Sequence, residues 1–177
     1  MLKRILLPVL VFAVAYFAMP ENFLAQNSYE GVAVCGICHK TTKAGEQLKH
    51  WEGSKHAEAY KVLQSDEAKK YSPDMDATKN PKCLKCHTTG YGADAKMFGA
   101  KFKIEDGVQC EACHGPGSEY KSMKIMKDKA AAIKAGLASH DKKSDYCVGC
   151  HNSQSPTFKG FDFDKMFAKI AHPIPKG

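Results

Sequence analysis

The sequence predicts a mainly α fold: helices and long loops with little or no β-sheet, wrapped around covalently bound prosthetic groups. Three observations predict it. All eight cysteines of the 177-residue chain stand in four Cys-x-x-Cys-His segments, at 35–39, 83–87, 110–114 and 147–151. Two apolar stripes at helical spacing lie between turns marked by Gly and Pro. Once a short apolar leader is set aside, about 38 residues remain per segment, too few for an ordinary hydrophobic interior.

The leader comes first. Lys3 and Arg4 precede an apolar run from Ile5 to Met19, and Pro20 interrupts it. A positive start followed by an apolar stretch of this length is the pattern of a secretory signal. The run is 15 residues, short of the roughly 20 that cross a bilayer. Cleavage near Ala25 or Gln26 is the expectation, although the Ala-x-Ala form is not clean there. A retained anchor is the alternative, and it is the sole route to membrane contact. No cysteine follows the run directly, which speaks against a lipid anchor. The expected organisation is a signal segment at 1–25 and one domain at 26–177, in the periplasm.

Each Cys-x-x-Cys-His segment is the signature of c-type haem attachment. Two thiols bond to the haem vinyl groups and the adjacent His binds iron. The sulfurs are those of Cys35 and Cys38, Cys83 and Cys86, Cys110 and Cys113, and Cys147 and Cys150; the proximal ligands are His39, His87, His114 and His151. Zinc also favours Cys-x-x-Cys pairs, and an exported chain with an even cysteine count fits a disulfide framework. Neither explains a His directly after every pair. In a shuffled chain that arrangement arises in about four cases per million. The expectation is a multihaem cytochrome carrying four haem c groups, with the porphyrins taking the place of a protein core.

Between the segments, Thr42 to Leu63 reads as a helix with Leu48, Trp51, Ala59, Val62 and Leu63 on one side and His56 at its edge. His50 points roughly 120° from His56 on the same wheel. Residues 65–82 are polar, with turn signals at Ser72-Pro73-Asp74 and Asn80-Pro81. Residues 93–109 read as extended or looped. After the third segment Gly115-Pro116-Gly117 forces a turn. Ser118 then caps a helix running to about Ala135, with Tyr120, Met123, Met126, Ala130 and Ile133 as its apolar stripe and Gly136 as its stop. A tail with Phe158, Phe161, Phe163 and Phe167 ends in His172-Pro173. The spacings between segments (48, 27 and 37 residues between first cysteines) are unequal, so no repeat architecture is expected.

Four irons need sixth ligands or leave that position open. Four further histidines are present: His50, His56, His140 and His172. His56 lies at an apolar helix edge and His172 follows the aromatic tail, which makes them the leading distal ligands. His140 lies in a polar loop and His50 on a polar helix face, where a solvated His is the competing explanation. Met123 and Met126 are thioether alternatives, although methionines at helical spacing more often serve a core.

The stretch Trp51-Glu52-Gly53-Ser54-Lys55-His56-Ala57 after the first segment resembles the cytochrome c-554 family. So do Cys83-Leu84-Lys85-Cys86-His87-Thr88-Thr89-Gly90 and, most specifically, Gly107-Val108-Gln109-Cys110-Glu111-Ala112-Cys113-His114-Gly115-Pro116-Gly117. The resemblance covers most of the chain after the leader. It implies an exported tetrahaem electron carrier, mainly helical, with haems stacked in close pairs. It implies that His56 reaches across to the third haem and that His172 serves the fourth. It places a distal His for the first haem about eleven residues beyond the third proximal His, where this chain has Ile125 and Met126; Met126, Met123 and His140 are the candidates to substitute. It also implies that the iron held by His87 can be five-coordinate, with His50 then a surface residue.

The formal charge is +7. A basic balance can signal nucleic acid, but the propionates of four haems would offset this excess, so no nucleic-acid partner is expected. Exposed lysines would instead steer acidic redox partners. There is no hydrolytic constellation, no Gly-rich nucleotide loop and no Cys-x-x-Cys-Lys segment. The expected function is electron transfer between respiratory redox partners, with no catalytic side chain. The alternatives are a small-molecule reductase, for example of nitric oxide, at an open iron, or a haem subunit of a larger electron-transfer complex.

Overall fold

In an α-helix, positions i, i+3 and i+4 share one face, so a Cys-x-x-Cys-His segment that folds as helix presents both sulfurs and the imidazole together. The computed structural model describes residues 27–138 and 145–174. The first segment ends α1 (Val32–His39). Two short helices follow, α2 (Gln47–Glu52) and α3 (Asp66–Tyr71). The second segment then closes α4 (Pro81–His87), and the third forms α5 (Cys110–His114). Next come α6 (Met123–Met126) and α7 (Lys129–Lys134). The fourth segment starts in α8 (Asp145–Val148) and finishes in a turn, where Cys150 and His151 both donate backbone N–H to the Cys147 carbonyl. The tail carries α9 (Phe163–Ile170). Among the described residues there is no sheet; Tyr29 and Phe98 form an isolated parallel bridge. No helix there is long and apolar enough to cross a membrane.

The expected helix over 42–63 is broken. A 3₁₀ turn occupies Thr42–Ala44, α2 stops at Glu52, and a second 3₁₀ turn covers Lys61–Gln64. Gly45 and Glu46 both take left-handed backbone, which no helix propagates through. The expected helix over 118–135 also divides in two. Ser122 caps α6 and Asp128 caps α7 through side-chain acceptors. Ser118 is instead a tether, its Oγ accepting from Ser28 N–H at 3.0 Å. In the polar stretch 65–82 the Ser65 side chain caps α3, with Asp66 and Glu67 in the first turn. Asn80-Pro81 is not a free turn but the cap and first residue of α4.

Helices of four to eight residues do not persist alone, so tertiary contacts hold them. Few of those contacts are apolar. The buried hydrophobic residues are Val32, Leu63, Ala77, Tyr120 and Ala132. Alongside them the interior buries Gln47, Thr88, Thr89, Gln109 and Glu111, and each such polar group must find partners. Glu111 accepts backbone N–H bonds from Glu30, Gly31 and Gly117 at 2.7–2.8 Å. Gln109 accepts from Val32 N–H and donates to the Lys103 carbonyl, while its own N–H donates to Thr89 Oγ1. Trp51 donates its indole N–H to the Val108 carbonyl at 2.8 Å. This network ties the first three segments together, and no buried side-chain polar atom is left unpaired among the described residues.

Candidate haem centres

The four segments meet in space. The Cys35 thiol hydrogen-bonds that of Cys110, which pushes Cys35 up and Cys110 down from the usual thiol range. Cys86 meets Cys150, and burial together with that neighbour pushes Cys150 up to about 11. Burial, and then the neighbouring Cys147, push up Cys113. The first segment therefore adjoins the third, the third adjoins the fourth, and the fourth adjoins the second. Helices α1 and α5 pack directly.

The proximal histidines are oriented from behind. His39 donates Nδ1–H to Gln47 Oε1 at 3.3 Å, and His87 donates Nδ1–H to the Ala59 carbonyl at 2.5 Å. A carbonyl oxygen only accepts, so the proton sits on Nδ1 and the Nε2 lone pair is left for iron. The His151 ring stacks on Phe161 with centroids 4.9 Å apart.

Two of the remaining histidines face proximal rings. His56 lies 6.1 Å from His151, and His172 lies 5.9 Å from His114, centroid to centroid. This exchanges the partners that the family resemblance implies: His56 faces the fourth proximal ring and His172 the third. The His56 carbonyl accepts from Val108 N–H at 3.1 Å, which holds the His56 backbone beside the third segment while its ring meets His151 of the fourth. Burial, and then the neighbouring His151, hold His56 below the ordinary histidine range, which keeps it in the neutral, ligating form.

The donor set fits haem iron. One iron held between two imidazole nitrogens at about 2.0–2.1 Å each sets the ring centres about 6.3 Å apart. The two observed separations come within half an ångström of this. Among the described residues no three His, Cys, Asp or Glu side chains converge on one point. None of the eight cysteines is in a disulfide.

The other candidates are placed differently. His50 is exposed on α2, and no second imidazole faces His39 or His87 among the described residues. Met123 is 64% exposed, and Met126 is half-buried at the end of α6. His140 and the leader at 1–25 lie outside the described residues. Gln47 and the Ala59 carbonyl are contributors that sequence reasoning missed. Nothing local marks them, since their role depends on which ring they meet.

The family profile of cytochrome c554 and c-prime matches residues 34–115, which hold the first three segments. Cytochrome c-554 of Nitrosomonas europaea is 28% identical over 177 aligned residues, covering 89% of this chain and 73% of that protein. Zinc finger protein 385B of Homo sapiens is 28% identical over 116 residues, covering 64% of this chain but 23% of that protein. No solved structure matches. The profile and the extended similarity to a cytochrome agree on an electron-transfer haem protein: the chain is similar to the cytochrome c-554 family.

Proposed function

We propose that this protein is an exported, periplasmic tetrahaem electron carrier, a single domain after loss of residues 1–25. The observation that carries the proposal is the contiguous series of attachment segments, first to third to fourth to second. When bound, each haem supplies a one-electron iron couple, which needs no catalytic side chain. The chain's own residues hold and tune the sites. Gln47 and the Ala59 carbonyl would fix two proximal tautomers, Phe161 packs a third ring, and His56 and His172, each near a proximal ring, would serve as sixth ligands. Pyridine haemochrome assay and intact mass test the count. Four thioether-bound haems are expected; a folded, matured chain with fewer overturns the proposal.

The partners are acidic redox proteins. Lys124, Lys127, Lys129 and Lys134 are exposed along α6 and α7 and form no ion pair among the described residues. This strip joins the third segment through Ala138 N–H to the His114 carbonyl at 2.9 Å and through Tyr120 OH to the Gly115 carbonyl at 2.6 Å. A positive strip rooted beside a haem site would steer a negative surface toward it.

A second function, reduction of a small molecule such as nitric oxide, is favoured by the absence of an imidazole opposite His39 and His87 among the described residues. A high-spin haem fraction that responds to nitric oxide supports it. An oxidised spectrum with low-spin haem alone removes it.

A further inference from the structure

We propose that Gln47 is a positioning residue that joins two haem sites: it sets the proximal imidazole of the first and latches the tail that supplies the sixth ligand of the third. The proposal rests on the tetrahaem assignment above and goes beyond it. Gln47 is buried at the start of α2. Its Oε1 accepts from His39 Nδ1–H at 3.3 Å, and its Nε2 donates to the Pro173 carbonyl at 2.9 Å and to the Ala44 carbonyl. Pro173 directly follows His172, whose ring lies 5.9 Å from that of His114. One amide group thus uses both its ends, acceptor toward one proximal ligand and donor toward the backbone beside another haem's distal ligand.

The neighbouring backbone is shaped for this contact. Gly45 takes φ +93°, and a Cβ there would lie 2.9 Å from Gln47 Nε2 and 3.1 Å from the Pro173 oxygen. A side chain at 45 would push apart the two atoms that the latch joins. The tail carries little else to hold it, because His172, Pro173 and Ile174 are exposed.

The two ends of the amide have separable effects. An acceptor on Nδ1–H pushes electron density onto the ring and raises its basicity as a ligand, which favours the ferric state. Gln47→Leu removes that acceptor and should raise the potential of one haem. Gln47→Glu keeps an acceptor and makes it stronger, so it should lower the same potential. Both substitutions remove the donor to Pro173, and both should turn one haem in four from low to high spin.

The test is potentiometry and electron paramagnetic resonance on the matured protein, after pyridine haemochrome has established four haems in each variant. A double variant, Gln47→Leu with His172→Ala, should show the same high-spin fraction as His172→Ala alone, because both act on one ligand. A merely structural glutamine would not shift one potential in opposite directions in the Leu and Glu variants. If Leu fails to mature, the more conservative Glu variant carries the test through its lowered potential and high-spin fraction. Four unchanged potentials and an unchanged spin state overturn the link while leaving the haem assignment intact. Fewer than four haems in the wild-type protein overturns the assignment instead.

Discussion

His56 and His151 face each other with ring centres 6.1 Å apart, across most of the length of the domain in sequence. The His56 carbonyl is held by Val108 N–H at 3.1 Å. Next to it, Gly107 takes φ +72°, and a Cβ there would stand 2.9 Å from that same carbonyl. Only glycine accepts both the left-handed backbone and the close approach. The position of His56 therefore depends on the loop that leads into the third segment.

Replacing His56 by alanine should leave four haems attached and turn one of them high-spin, the one bound at Cys147 and Cys150. Visible absorption and electron paramagnetic resonance check this. An unchanged spectrum would strike His56 from the ligand set.

Acid should reach the same end. The His56 pKa is depressed, by burial first and then by His151. The unfolded chain therefore binds more protons than the folded one between the folded pKa and about 6.5. His56 contributes its stability in full above about pH 6.5, and that contribution is lost as pH falls toward the folded value. Titration downward from neutral pH should convert one haem to high spin once the folded pKa is passed. His56→Ala should abolish that transition.

Glu111 anchors three backbone N–H groups while 2% exposed. Glu111→Ala leaves two buried donors and one half-buried donor without an acceptor and should cost about 3 kcal/mol or more. Glu111→Gln would retain the acceptor oxygen for Glu30 and Gly117 but turn an NH₂ toward Gly31 N–H, a loss of about 1–3 kcal/mol. Denaturant unfolding of the matured protein measures both, and equal stability of all three proteins would remove Glu111 as the anchor.

Cys110→Ala should leave one haem attached by a single thioether. Its pyridine haemochrome band should shift for one haem in four, and the loosened porphyrin should be more easily lost on heating. Two covalent links at that haem in the variant would contradict the attachment assignment.

The lysine strip predicts salt dependence. Oxidation by an anionic reagent such as ferricyanide should slow about tenfold as ionic strength rises from low to physiological, because screening removes the steering field. Reversing Lys124, Lys127 and Lys134 to glutamate should flatten that dependence. A wild-type slope that survives the reversal would move the docking surface elsewhere.

The Cys-x-x-Cys-His segments stand out in the sequence because their pattern is local. Cys35, Cys38 and His39 need only one turn of helix to share a face, and Cys110, Cys113 and His114 need the same. The aromatic character of the tail is local too, whereas the caps at Asn80 and Asp128 were missed, the first read as a turn and the second as helix interior. What could not be read was which site each distal histidine serves. That His56 meets His151 and His172 meets His114 depends on hydrogen bonds between residues far apart in sequence, such as Val108 to His56 and Gln47 to Pro173. The long helices expected over 42–63 and 118–135 failed for local reasons instead, the second because Ser122 and Asp128 each cap a new helix. Periodicity marks an apolar face, but left-handed backbone at Gly45 and Glu46 interrupts the first of them whatever the apolar pattern. A pattern of residue types records what each segment can bind, while long-range pairing of buried amides and carboxylates sets what each segment lies against.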